Sequence, residues 1–142
     1  MPGTGCAHWH STKARGPSAS KLSQLLITEI GGEGGLKASW RLFEALVFNW
    51  AIAAPDAHAT TYSLLHRGRA VRLAPLYDVA SGLSYGRDFH PSKVKMALKI
   101  GGYCQIGIIK TSHWERQAES MSLPVDEALD RARGLLAKVP AP

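Results

Sequence analysis

The chain has 142 residues, 45% of them hydrophobic, 20% charged and 8% aromatic, with two cysteines. This excludes a disordered tail, a collagen-like repeat and a small disulfide scaffold. One domain able to bury roughly two thirds of its unfolded surface is expected, without covalent staples. Lys and Arg outnumber Asp and Glu by 17 to 11, a net charge of +6. The excess lies between Arg67 and Lys110, where eight basic residues face only Asp78 and Asp88. Such a segment fits either a solvated sheet edge or a phosphate-facing surface.

Residues 1–17, with Pro2, Gly3, Gly5, Gly16 and Pro17, read as a poorly ordered N-terminal segment, and residues 18–142 as the folded unit. Cys6, His8 and His10 lack a second pair of ligands nearby, which argues against a zinc site. No secretory signal is visible in residues 1–12, and the longest apolar stretch, Ala45–Ala54, is too short to span a bilayer. A cytoplasmic protein with no membrane contact and two free thiols is the expectation.

From Ser18 the apolar residues Leu22, Leu25, Leu26 and Ile30 recur at helical spacing until Gly31 and Gly32. Gly31–Gly35 lacks the Lys and Ser/Thr of a phosphate loop, so it reads as a flexible link between two helices. The next helix, Leu36–Ala54, places Leu42, Leu46, Asn49, Trp50 and Ala53 on one face. Phe43, Val47 and Phe48 broaden that stripe, as befits a central buried helix ended by Pro55.

A first hairpin is predicted from Tyr62–His66 and Arg69–Leu73 with Arg67 and Gly68 at the turn. A second is predicted within Lys93–Ile109. There Val94, Met96, Leu98 and Ile100 alternate with Lys93, Lys95 and Lys99, and Gly101 and Gly102 form the turn. Two helices follow. One opens with a Ser112–Glu115 capping box and carries Trp114, Ala118 and Met121 on one face. The other opens at Pro124, with Val125, Leu129, Ala132 and Leu136 directed inward. The fold class is therefore α+β, mainly helical, with two short β-hairpins.

The chemistry is concentrated in two loops. Asp56 follows the buried helix, and Asp78 follows the first hairpin. In protein kinases a catalytic-loop aspartate accepts the substrate hydroxyl proton and a residue five positions later holds magnesium. A hairpin then leads to a second, metal-binding aspartate. Asp56, Thr61 and Asp78 follow that order. Two loop aspartates 22 positions apart also occur in many unrelated domains, so spacing alone leaves the choice open.

Four segments narrow it: Asp56-Ala57-His58-Ala59-Thr60-Thr61-Tyr62-Ser63, Leu73-Ala74-Pro75-Leu76-Tyr77-Asp78-Val79-Ala80-Ser81, Lys95-Met96-Ala97-Leu98-Lys99-Ile100-Gly101-Gly102 and His113-Trp114-Glu115-Arg116. Together they resemble the C-terminal domain of the HipA family, the serine/threonine kinase toxins of bacterial type II toxin–antitoxin systems. The resemblance implies the C-lobe of a protein-kinase-like fold and ATP and Mg as cofactors. Asp56 takes the place of the catalytic aspartate and Asp78 that of the metal-binding one. His58 matches a histidine placed beside the nucleotide phosphates, and Tyr77 borders the metal loop. His58 as a loop-stabilising hydrogen-bond partner and Tyr77 as a packed aromatic are alternatives that stay open. Thr61 stands where the family has Asn, and a hydroxyl there reaches less far toward a metal. The family's longer chains also carry an N-lobe with a nucleotide-clamping lysine, which is not identifiable in these 142 residues.

The partners implied are a helix-turn-helix antitoxin of the HipB type and a protein substrate, with an aminoacyl-tRNA synthetase as the best-known kind. DNA is reached only indirectly, through the antitoxin. Two other readings stand beside the kinase: a non-catalytic truncated remnant that binds antitoxin, and a module that binds nucleic acid through Lys93, Lys95 and Lys99.

Overall fold

The computed structural model describes residues 18–53, 63–74 and 94–139. The expected N-terminal segment and its Cys6, His8 and His10 lie outside them.

Helix α1 spans Ala19–Ile30, and its N-terminus is capped by the Ser18 hydroxyl, which accepts from the Lys21 N–H at 3.2 Å. Helix α2, Gly32–Ala51, begins immediately after Gly31. The expected flexible link is thus corrected: only Gly31 lies between the helices, and Gly32–Gly35 form the first turn of α2. The physical reason is close packing. A Cβ on Gly35 would lie 2.9 Å from the Ile27 Cα and 3.0 Å from its carbonyl oxygen, so only glycine lets the two backbones approach this far. Deeper in the same interface the hydroxyls of Ser23 and Ser39, both buried, share a hydrogen bond of 2.5 Å.

Helix α2 is the central helix that its apolar stripe predicted. Leu42, Phe43, Leu46 and Val47 are all but inaccessible. Trp40, Phe43, Trp114 and Trp50 form a chain of edge-to-face rings, with successive centroids 6.2, 5.6 and 5.8 Å apart.

The first hairpin pairs β1 (Leu64–Arg67) with β2 (Ala70–Leu73), antiparallel, in the register Leu64 to Leu73 and Arg67 to Ala70. Its turn is Gly68–Arg69, one residue later than predicted. The second hairpin pairs β3 (Lys95–Ile100) with β4 (Tyr103–Gln105). Its alternation holds: Met96, Leu98 and Ile100 are buried, while Lys95 and Lys99 are exposed. The two hairpins form separate two-stranded sheets. After β4 the chain tightens into a 3-10 turn at Ile106–Ile108 rather than continuing as a strand.

Cys104 on β4 is buried and disulfide-bonded, which corrects the expectation of a free thiol there. Sequence spacing carries no information about whether a second sulfur comes within bonding distance, and oxidation state depends on that geometry as well as on compartment.

Helix α3, Thr111–Ser120, starts one residue before the predicted box and uses a different cap. The Nδ1 of His113 accepts the Lys110 N–H at 2.8 Å, in place of the Ser112–Glu115 pair. Trp114, Ala118 and Met121 are buried, as their spacing predicted. Helix α4, Val125–Leu136, follows Pro124 and lies against α2 and α3. Its predicted inward line holds at Ala132, which is buried, and at Val125 and Leu129, which pack against the core; Ala128 is buried as well, and Leu136 is exposed. Alanines at the closest approach let α4 sit near its neighbours, and Val125, Leu129 and Leu135 pack at the margins.

Candidate functional site

Three fixed points frame the segments expected to carry chemistry. The first is the end of α2. Trp50 donates from Nε1 to the Ile106 carbonyl at 3.3 Å, so the last turn of α2 is tied to the 3-10 turn after β4. Ala53 closes the helix with φ +52, donating its N–H to the Trp50 carbonyl at 3.1 Å, and is itself buried. Asp56 follows it by three positions.

The second fixed point is the base of the first hairpin, where the Ala74 N–H donates to the Ser63 carbonyl at 2.8 Å. Ser63 comes two positions after Thr61, and Ala74 four positions before Asp78. The pairing of β1 and β2 therefore holds together the chain positions from which the two loops depart. Leu73, buried one residue before Ala74, anchors that base, and β2 carries the hairpin's contacts to α1 and α2.

The third is the junction of the second hairpin with α3. A Cβ on Gly101 would lie 2.5 Å from the His113 carbonyl oxygen, and Gly101 has φ +57, so this turn needs glycine on two counts. The Gly101 N–H donates to Oε1 of the buried Gln117 at 3.1 Å, and the rings of Tyr103 and His113 meet edge to face at 4.7 Å. The Lys95–Gly102 and His113–Arg116 segments are thus in direct contact.

Asp56, His58, Thr61, Tyr77 and Asp78 all lie outside the described residues. Among the described residues no group of three or more His, Cys, Asp or Glu side chains could hold a metal. A groove does open between the end of α2, the start of α3 and α4, lined in part by Trp50, Lys110, Trp114, Leu129 and Arg133, but none of the five expected site residues is in its described lining. No helix of the described residues is long and apolar enough to cross a membrane.

Sequence reasoning missed Gln117, which no motif marked and which joins the second hairpin to α3. It also missed Arg131. That guanidinium lies 4.0 Å from the centroid of the Trp40 ring and bridges Glu127 at 2.8 Å and Glu44 at 3.1 Å. The hydrogen bond it donates to Glu127 chiefly, with that to Glu44, raises its pKa above the ordinary value. The (i, i+4) spacing of Glu127 and Arg131 was a signal in the sequence; the contacts across to α2 were not.

The fold so described is a mainly helical α+β domain with two small antiparallel hairpins. A match to the HipA-like C-terminal domain extends over residues 5–141, and the chain belongs to that family. A Sinorhizobium fredii (strain NBRC 101917 / NGR234) protein named "Putative kinase Y4mE" is 32% identical over 79 residues, which cover 56% of this chain and 18% of that protein. Among solved structures, a chain in the Shewanella oneidensis MR-1 toxin–antitoxin complex of HipA, HipB and operator DNA shares the fold, with a TM-score of 0.68 at 18% identity. The match covers 90% of this chain and 31% of that one. The chain thus spans less than a third of either relative.

Proposed function

We propose that this chain is the C-terminal kinase subdomain of a HipA-like serine/threonine protein kinase toxin, contributing to ATP-dependent phosphoryl transfer to a protein hydroxyl. The observation that supports this most is the base of the first hairpin. Its Ser63–Ala74 hydrogen bond pairs the described residues that follow Thr61 and precede Asp78 in the sequence, and Asp56, Thr61 and Asp78 stand in the order that kinase chemistry uses. Asp56 orients the acceptor hydroxyl and takes its proton. Asp78 is the residue that would hold Mg²⁺, with Thr61 assisting; carboxylate and hydroxyl oxygens are the hard donors that this ion prefers. When bound, the ion offsets the negative charge on the ATP phosphates. His58 and Tyr77 border the nucleotide.

The toxin–antitoxin neighbour supports a HipB-type antitoxin as partner, with DNA reached through it; a protein substrate of the class exemplified by aminoacyl-tRNA synthetases is what the family resemblance implies. A cytoplasmic location is part of the same reading. Thr61 in place of the family's Asn favours a second reading, in which the chain keeps the antitoxin-facing surface without catalysis.

Calorimetric titration of Mg-ATP into the full chain tests the first reading. Binding heat that Asp78→Ala abolishes and Asp56→Asn preserves is the expected result. No heat, or identical heat from Asp78→Ala, overturns nucleotide binding by this chain. Co-purification with a HipB-type antitoxin but no transfer of labelled phosphate to lysate proteins selects the second reading.

A further inference from the structure

Cys104 is disulfide-bonded, and among these 142 residues Cys6 is the only other cysteine. Cys6 lies outside the described residues, so its pairing follows from the count of cysteines together with the bonded state of Cys104. Reach is no obstacle. Twelve positions separate Cys6 from Ser18, and that length of chain extends to about 40 Å, against a radius of gyration of about 14 Å for a domain this size.

Cys104 is a firm anchor for such a bond. It is buried on β4, between Tyr103 and Gln105, which pair with Ile100 and Lys95 of β3. The Tyr103 ring meets His113 of α3 at 4.7 Å, and the Gly101 N–H is held by Gln117 of the same helix. The strand that carries Cys104 is therefore fixed on the domain by side chains that owe nothing to the sulfur.

From this we infer that Cys6 and Cys104 form an oxidation-dependent latch, closed between position 6 and the second hairpin when oxidised and open when reduced. Opening takes two electrons and two protons from a dithiol, which becomes a disulfide itself while Cys6 and Cys104 become thiols. Closing returns them to a small disulfide such as oxidised glutathione, which leaves as two thiols. The bond links positions 98 apart, and the longer the chain a disulfide closes, the more it restricts the unfolded state. Reducing compartments hold thiols open, so a closed latch there records oxidation. It uses neither Asp56 nor Asp78 and stands apart from the kinase reading.

The test is tryptic digestion of the full chain, oxidised with glutathione disulfide and alkylated before any reductant is added, followed by mass spectrometry. Cleavage after Lys13, Lys99 and Lys110 should leave Met1–Lys13 joined to Ile100–Lys110, and dithiothreitol should separate them. The melting temperature of the wild type should fall by about 5–20 °C in dithiothreitol. Cys6→Ser, which alters no described residue, should melt at the lower temperature whether or not reductant is present. Both cysteines alkylated after oxidation overturn the inference, as does a covalent dimer in place of the internal link. Equal wild-type melting in the two redox states overturns it too, as does a dithiothreitol-dependent shift that Cys6→Ser retains.

Discussion

Gly35 of α2 rests directly on Ile27 of α1, with room for no side chain between them. This contact sets how near the first two helices approach. Gly34, one position earlier, faces the Ile30 Cγ2 methyl at 3.0 Å, the end of a side chain that can rotate away. Gly35→Ala should therefore destabilise the fold by about 1–3 kcal/mol through overpacking. Gly34→Ala should be close to neutral, because the helix propensity gained, up to about 1 kcal/mol, offsets the displaced methyl. Urea midpoints of the two variants, compared at equal m-value, check the contrast.

The Ser23–Ser39 bridge predicts a non-additive pair. Removing one hydroxyl leaves the other buried without its partner, at a cost of about 1–3 kcal/mol. Removing both relieves that penalty, so Ser23→Ala/Ser39→Ala should cost less than the sum of the single changes. A double-mutant cycle measured by equilibrium denaturation reads the coupling directly.

Trp114 joins two legs of the aromatic chain on α2 and is 5% exposed. Trp114→Ala should cost about 3–5 kcal/mol, a large share of the roughly 5–15 kcal/mol that holds a domain of this kind together. Thermal melts should show an early, broadened transition, whereas Trp114→Phe should retain most of the stability.

The Arg131 contacts should be worth much less. Its side chain is 39% exposed, so salt and solvent screen the ion pairs, and the stacking on Trp40 adds about 0.5–1 kcal/mol. Arg131→Ala is expected to lower stability by about 1 kcal/mol. Arg131→Lys should recover only part of it, because the planar face is lost. Repeating the denaturation at 1 M salt should shrink the difference between wild type and Arg131→Ala.

Much of the fold was legible in the sequence because periodicity and burial share a cause. The alternation through Lys95–Ile100 and the stripe on α2 both record which side of an element meets water. The Gly31–Gly35 run was misread because glycine marks two opposite situations, a loose link and a tight contact, and only the presence of Ile27 on the facing helix separates them. The cap at α3 was misplaced for a similar reason: His113 is not a habitual capping residue, yet its Nδ1 sits within reach of the Lys110 N–H. On α4 the inward line was read correctly through Val125, Leu129 and Ala132, and it failed only at Leu136, in the last turn, which is exposed. The Asp56 and Asp78 pair was read from order, spacing and resemblance and lies outside the described residues; the structure adds the Ser63–Ala74 base of the hairpin between their sequence positions.

The Gly68–Arg69 tip has a practical consequence. It lies at the far end of the ribbon from the Ser63–Ala74 base, and a Cβ on Gly68 would meet no atom within 4 Å. Chain length can be added at that tip while the base remains paired, so a short epitope or a fluorophore-bearing loop spliced between Gly68 and Arg69 gives a built-in reporter. Its signal would register changes around the exposed tip of the hairpin.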